Sequence, residues 1–275
     1  MKITVVTVCR NAECVLENTI LSVYNQGFKD FEYLIIDGNS TDGTIDIVRK
    51  YKTLFSSKGI GFSFISEPDS GIYNAMNKSL KMAKGEWILF MNAGDSFYDE
   101  NVLQNMFLYD YTGIDFVYGD VLLFENNKYK KAYIGSIDDI NDQSSICHQG
   151  SMTRLEVLKE YKFDEEYKLA ADYDVMLRMN NDHRVLKKID CMVAIFSLGG
   201  ASSQQSIRYL REMDRSRKRN GIHCPHNLEY YVMRLRMYNL IRAIGKTLLP
   251  GFFYSEKRGW YSDKSTILNR HNGEA

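Results

Sequence analysis

The side chains suited to chemistry lie in short polar runs that follow apolar ones. The longest is Ile36-Asp37-Gly38-Asn39-Ser40-Thr41-Asp42-Gly43-Thr44. A carboxylate there can accept a hydrogen bond from a nucleobase N–H or a ribose hydroxyl, and the glycines let backbone approach a ligand. Ser40, Thr41 and Asp42 equally suit a plain helix-capping turn, so residue types alone leave both readings open. Similar polar runs occur at Thr7 to Asn11, Ser66 to Gly71 and Asn92 to Asp95. Cys147-His148-Gln149 offers an imidazole suited to hydrogen bonding or to a structural role. Leu198-Gly199-Gly200-Ala201-Ser202 supplies either bare backbone amides for an anion or an ordinary turn. His223-Cys224-Pro225-His226 crowds its ligand types together with no distant partner pair, a spacing that excludes a structural zinc site.

The elements that must carry these runs follow from periodicity. Ile3 to Val8, Tyr33 to Ile36, Phe62 to Ile65 and Trp87 to Met91 are short apolar runs bounded by polar or glycine residues. They alternate with helical patterns, the signal for βαβ units and a parallel sheet covered on both faces. Asn11 is expected to cap a helix reaching Gln26, and the Ser40 to Asp42 cluster another through Lys50. Gly85 is expected to end a third, Ile72 to Lys84, in a left-handed conformation. Ligands of open α/β sheets bind beyond the carboxyl ends of the strands, where the polar runs fall. In the second half we expect a hairpin through Val117 to Phe124 and Tyr129 to Ile134. A helix over Ala171 to Asn180 and strands at Val185 to Ile189 and Val193 to Ser197 should follow.

At 275 residues the chain suits one large domain with an appendage. Its 35 Lys and Arg balance 35 Asp and Glu, which argues against a nucleic-acid partner. Five scattered cysteines without a CxxC pair suggest free thiols and a cytoplasmic location. No run approaches the ~18 apolar residues of a membrane-spanning helix. The run Ile3 to Cys9 leads into Arg10 and Asn11 rather than a cleavage site, so it reads as a buried strand and not a secretion signal.

Taken together, several runs resemble family 2 glycosyltransferases. Thr7-Val8-Cys9-Arg10-Asn11-Ala12, Gln26-Gly27-Phe28-Lys29-Asp30-Phe31-Glu32 and the Asp37 run are similar to the opening of that family. Ser66-Glu67-Pro68-Asp69-Ser70-Gly71-Ile72-Tyr73-Asn74-Ala75-Met76-Asn77-Lys78 resembles a stretch of the subgroup that builds bacterial exopolysaccharide, capsule and lipopolysaccharide. Asn74 stands where an acid is usual and Ser79 where glycine is usual. The resemblance implies the GT-A fold, a Rossmann-like, mostly parallel α/β sheet flanked by helices, and transfer of a sugar from a nucleotide-sugar, UDP-linked, to a glycan or lipid-linked hydroxyl with inversion. Thr7, Asn11, Asp37, Asp69, Gly71, Asn77, Asn92 and Asp95 are the implied donor-binding residues. Asn92 and Gly94 stand at the two acidic positions of the family's D-x-D motif, leaving Asp95 to hold a Mg or Mn ion. Ala170-Ala171-Asp172-Tyr173-Asp174 resembles the helix that supplies the family's base, with Asp172 in that position and Asp174 expected to face solvent or support the acceptor. His148, Gly199 and Gly200 match elements that contact acceptor or diphosphate. The departure at D-x-D also permits a non-catalytic nucleotide-sugar-binding partner of a glycan assembly complex.

The resemblance covers residues 1–202, expected to be the catalytic domain, with a donor half at 1–97 and an acceptor half at 98–202. From 203 to 275 we expect a basic helical extension. Between Ser203 and Pro250, ten Lys and Arg face three acids. Leu228, Tyr231, Val232, Leu235, Tyr238, Ile241, Ile244 and Leu248 recur at helical spacing. Such a helix suits peripheral membrane contact, packing on the catalytic domain, or a homodimer.

Overall fold

The apolar runs become β1 (Ile3–Cys9), β2 (Phe31–Asp37), β3 (Gly61–Ser66) and β4 (Trp87–Phe90). The computed structural model describes residues 1–132, 134–141, 146–198, 207–223, 226–248, 255 and 259–267. The strands pair in parallel in the order β3-β2-β1-β4. β1 and β4 are buried along their whole length because helices cover both faces, whereas β3 is a half-exposed edge. The intervening helices are α1 (Leu16–Tyr24), α2 (Thr44–Ser57) and α3 (Ile72–Met82).

The chain continues through β5 (Ser96–Phe97), α4 (Val102–Met106), β6 (Phe116–Glu125), β7 (Lys128–Lys131), β8 (Ser151–Arg154), α5 (Leu155–Tyr161), α6 (Ala171–Asn181) and β9 (Leu186–Ser197). One sheet results, ordered β3-β2-β1-β4-β8-β6-β9-β5, with β7 paired to β6. It is parallel through its first four strands. Beyond them it is mixed, since β8 is antiparallel to both β4 and β6 while β9 is parallel to β6. The hairpin expected after Val117 is β6–β7, and the two expected strands near Val185 and Val193 are one, β9. Helices α7 (Ile207–Arg219) and α8 (Leu228–Leu248) form the C-terminal region. No helix of the described residues is long and apolar enough to cross a membrane. The four described cysteines are free thiols; Cys224 lies outside the described residues, as does the expected boundary at Ser202.

Local expectations change in four places, the first being α2, which starts at Thr44 after Gly43 and runs past Lys50 to Ser57. Asn11 does not cap α1, which starts at Leu16 after Val15; Asn11 turns into the left-handed region at φ 48° and serves a different loop. Gly85 is not a left-handed helix end, since α3 stops at Met82. A Cβ at Gly85 would strike the Thr4 amide and Ile3 backbone, so glycine is needed there for close backbone approach. Asp174 does not face solvent. It is buried, accepting from Arg178 Nε at 2.8 Å and from Ser216 Oγ of α7 at 2.7 Å.

Candidate active site

Because β1 to β4 run in parallel, their carboxyl ends open along one edge, and short bonds stitch the four exits together. Gly38 N donates to Cys9 O at 2.8 Å, Glu67 N to Asp37 O at 3.0 Å and Ala93 N to Val8 O at 3.4 Å. The left-handed turn at Asn11 lets its side chain accept from Thr41 N at 2.8 Å while its own N–H donates to Ser40 Oγ at 2.7 Å. Asp37 is wholly enclosed. Its carboxylate accepts from Ser40 N and Oγ and from Ser66 Oγ at 2.6 Å, drawing the loops after β2 and β3 together. Burial and the Asp37 carboxylate push the neighbouring Cys9 thiol far above its ordinary range.

Asp69 lies where a Cβ on Gly38 would sit, and its Oδ1 accepts from Gly71 N at 3.0 Å at the start of α3. Gly71 has φ 137°, a conformation that favours glycine. Thr7 and Asn77 stand apart from this edge. Thr7 is fully buried, donating to Met91 O at 2.7 Å and paired with Tyr33 Oη. Asn77 is a latch between α3 and the loop after α5, donating to Phe163 O and Glu165 Oε1 and accepting from Phe163 N. Glu165 also accepts from Asn74 Nδ2 at 2.9 Å, and these donors hold its carboxyl below the ordinary range. The amide at position 74 therefore serves as a donor to an acid from another element.

After β4, Gly94 adopts φ 99°, with its N–H bonded to Thr19 Oγ1 of α1. The turn delivers Asp95 into a buried position, where Oδ1 accepts from Ser197 N at 3.0 Å and Gln149 supplies a second hydrogen bond. Burial pushes the Asp95 carboxyl up to about 7, these two donors opposing it. Asn92 Oδ1 is buried without a hydrogen-bond partner among the described residues. Ser197 ends β9, so the segment leading to Gly199 and Gly200 starts against Asp95; those two glycines lie outside the described residues.

Asp172 sits in the first turn of α6, half-buried, accepting from Tyr73 Oη at 3.2 Å. Tyr73 is buried in α3 two residues beyond Gly71, which brings Asp172 against the strand-exit edge. His148 is buried in the turn before β8, stacked on Phe90 with ring centroids 5.3 Å apart. Burial pushes its imidazole down, and the Asp172 carboxylate partly offsets this. Burial, then Asp95, then Asp172 push the adjacent Cys147 thiol up to about 12. The two carboxylates thus act on one side chain. Asp69 meets Gly38 and Gly71, and Tyr73 meets Asp172, while Asp95 and Asp172 both bear electrostatically on the Cys147 thiol.

Sequence reasoning passed over Tyr73, Gln149, Ser197 and Glu212. Tyr73 was visible only within the Ser66 to Lys78 run, and Gln149 beside His148. Glu212 had no local signal. From α7 it accepts the backbone N–H groups of Lys168, Leu169 and Ala170 at 3.0, 2.8 and 3.1 Å, fixing the entry to α6. Arg217 Nε donates to Tyr173 Oη at 2.9 Å, a third tie from α7 to that helix beside those of Glu212 and Ser216.

The sequence profile of glycosyl transferase family 2 matches residues 4–164, a stretch that takes in all four strand exits and the His148 turn. The chain belongs to that family. It is 30% identical over 198 residues to a PGL/p-HBAD biosynthesis glycosyltransferase of Mycobacterium bovis (strain BCG / Pasteur 1173P2), spanning 70% of this chain and 76% of the relative. It is 34% identical over 93 residues to the putative teichuronic acid biosynthesis glycosyltransferase TuaG of Bacillus subtilis, 34% of this chain and 36% of that one. Among solved structures, S. aureus TarS 1–349 in complex with UDP superposes with a TM-score of 0.63 at 19% identity, covering 92% of this chain and 74% of that 1–349 chain. The mannosyltransferase PcManGT from Pyrobaculum calidifontis, in complex with GDP-Man and Mn2+, superposes with a TM-score of 0.59 at 16% identity, covering 79% and 63%. These likenesses show the GT-A fold. The chain is therefore a family 2 glycosyltransferase, and the non-catalytic alternative gives way to an enzyme.

A divalent ion can be tested against the residues of this glycosyltransferase. Among the described residues no three His, Cys, Asp or Glu side chains gather into a cage. The turn after β4 nevertheless presents an orphaned buried carbonyl oxygen, Asn92 Oδ1, and a buried carboxylate, Asp95. Both are oxygen donors of the kind a hard cation takes, and they suit an ion whose other positions are filled by diphosphate and water.

Proposed function

We propose that this glycosyltransferase moves one sugar from a UDP-linked donor to a hydroxyl of a glycan or lipid-linked acceptor, with inversion, in bacterial cell-surface polysaccharide biosynthesis. The observation that carries this reading is the hydrogen bond to Asp172 from Tyr73, which lies in α3 two residues beyond Gly71. A base must reach the attacking hydroxyl while the leaving diphosphate lies on the far side of the sugar, and this reading gives those two places to Asp172 and Asp95. In this reading residues 1–202 are the catalytic domain, 1–97 the donor half and 98–202 the acceptor half, with 203–275 the extension. The enzyme works in the cytoplasm.

Asn11, Asp69, Gly71 and the loop organised by Asp37 form the donor edge. Thr7 and Asn77 support it from behind, by their bonds to Tyr33 and to Phe163 and Glu165. His148 contacts the acceptor or diphosphate in this reading, and the same role is proposed for Gly199 and Gly200. Asp95 and Asn92 would hold a Mg or Mn ion, which when bound neutralises charge on the diphosphate as the sugar–phosphate bond breaks. Asp172 accepts the acceptor proton at its carboxylate, and Tyr73 keeps that carboxylate aimed. The UDP and UDP-GlcNAc bound by S. aureus TarS support a uridine-linked donor, and the Mn2+ in PcManGT supports the ion. The mycobacterial and Bacillus relatives support a role in surface glycans.

The test is turnover of a nucleotide-sugar panel by the purified chain, with the anomeric configuration of the product read by NMR. Release of sugar with inversion, lost in Asp172→Asn but with nucleotide binding intact, is expected. A retained configuration, or full activity in Asp172→Asn, overturns the assignment.

A further inference from the structure

Helix α8 carries two apolar faces, and one of them is uncovered. Leu228, Tyr231, Val232 and Leu235 turn toward the body of the protein, with Leu235 only 7% exposed. Tyr231 meets the Arg217 guanidinium of α7, 5.5 Å from its ring centre. Ile241, Ile244 and Leu248, expected on that same stripe, instead join Met233, Met237 and Leu240 in a second row, all between 49% and 69% exposed. At 3.6 residues per turn these six occupy about 100° of arc centred opposite Leu235 and run for roughly 22 Å. Soluble surfaces scatter single apolar residues; a continuous row of six large ones marks a contact site.

Charge decides the partner. Exposed Arg234 and Arg236 flank the row, one on each side, whereas Arg242 turns inward to pair with Glu125 Oε2 at 3.0 Å. Glu229, in the first turn, is the helix's one acid. A second copy docked through this row with its helix parallel would bring Arg234 and Arg236 of one copy against those of the other. An anionic bilayer meets both features, accepting the apolar row among its acyl chains and the guanidinium rims among its headgroups. We infer that the Met233 to Leu248 face of α8 seats the protein on an anionic lipid surface, with the helix axis in the plane of the membrane. Nothing in this contact depends on the donor or the base.

Flotation of the full-length chain with vesicles of phosphatidylcholine alone, or of phosphatidylcholine mixed with phosphatidylglycerol, tests it. Binding is expected to the mixed vesicles and to weaken with salt. Leu240→Glu with Ile244→Glu should lower it by roughly tenfold or more, and Arg234→Ala with Arg236→Ala should remove the salt dependence. Both pairs are exposed, so thermal unfolding and turnover of a water-soluble acceptor should stay unchanged. Failure of the wild-type chain to float with the mixed vesicles overturns the inference, as does undiminished flotation of the glutamate pair. Sedimentation of a dimer that the glutamate pair dissociates would replace the lipid with a second copy.

Discussion

At the donor edge, side chains are aimed by the ends of parallel strands; around α6, they are aimed by bonds that reach across from the C-terminal region. Asp37, Asp69 and Asp95 leave adjacent or nearby strand ends, so the sheet itself brings them together. Asp172 has no strand behind it. Its helix begins where Glu212 gathers three backbone N–H groups, and it is steadied by Ser216 and Arg217 from the same segment. The first arrangement is stabilised by sheet pairing and tolerates local change, whereas the second depends on a few polar bonds between distant parts of the chain.

Breaking the second arrangement at its functional end should have the largest effect. Asp172→Asn keeps size and the Tyr73 contact but removes the proton acceptor, so kcat should fall about 100- to 10,000-fold, with donor affinity by calorimetry unchanged. Next, Glu212→Ala strands three backbone donors and should cost about 2 kcal/mol in denaturant unfolding. It should lower kcat more than it raises the donor KM, because it disturbs the base and not the donor edge; an equal change in both would erase the distinction between the two regions.

Gly38→Ala tests the donor edge in turn. Its Cβ would meet the end of the Asp69 side chain, which can swing away, so stability should change little. Donor KM should rise roughly tenfold, about 1.4 kcal/mol, with kcat held. The smallest effect concerns pH. Burial lowers the His148 pKa from its ordinary 6.5, so the unfolded chain takes up a proton that the folded chain resists. The His148 contribution to stability is complete above about pH 6.5 and declines as pH falls below it, opposite in sign to that of the raised Asp95 carboxyl, so His148→Asn should lose less stability than wild type on acidification in pH-dependent thermal melts.

The donor half was readable because its signals are local. A strand of continuous apolar residues followed by a polar turn names both the element and the edge it serves, and β1 to β4 begin and end within two residues of their expected positions. Local reasoning failed where a side chain answers to a distant one. Asn11 looked like a helix cap, but its acceptor serves Thr41. Asp174 looked like a solvated residue of an acidic first turn, yet Ser216 and Arg178 enclose it. Gly85 looked like a helix end, although the Thr4 and Ile3 backbone is what requires it.

By itself the sequence determined the alternation of strands and helices, the polar strand exits and the resemblance that marks Asp95 and Asp172, because periodicity and residue type act over a few neighbouring positions. Only the tertiary structure decided that Tyr73 meets Asp172, that Glu212 holds the entry to the base helix, and which side of α8 is left uncovered. Those outcomes depend on which surfaces the packed chain brings into contact, and helical spacing repeats around the whole circumference without saying which face will find a partner.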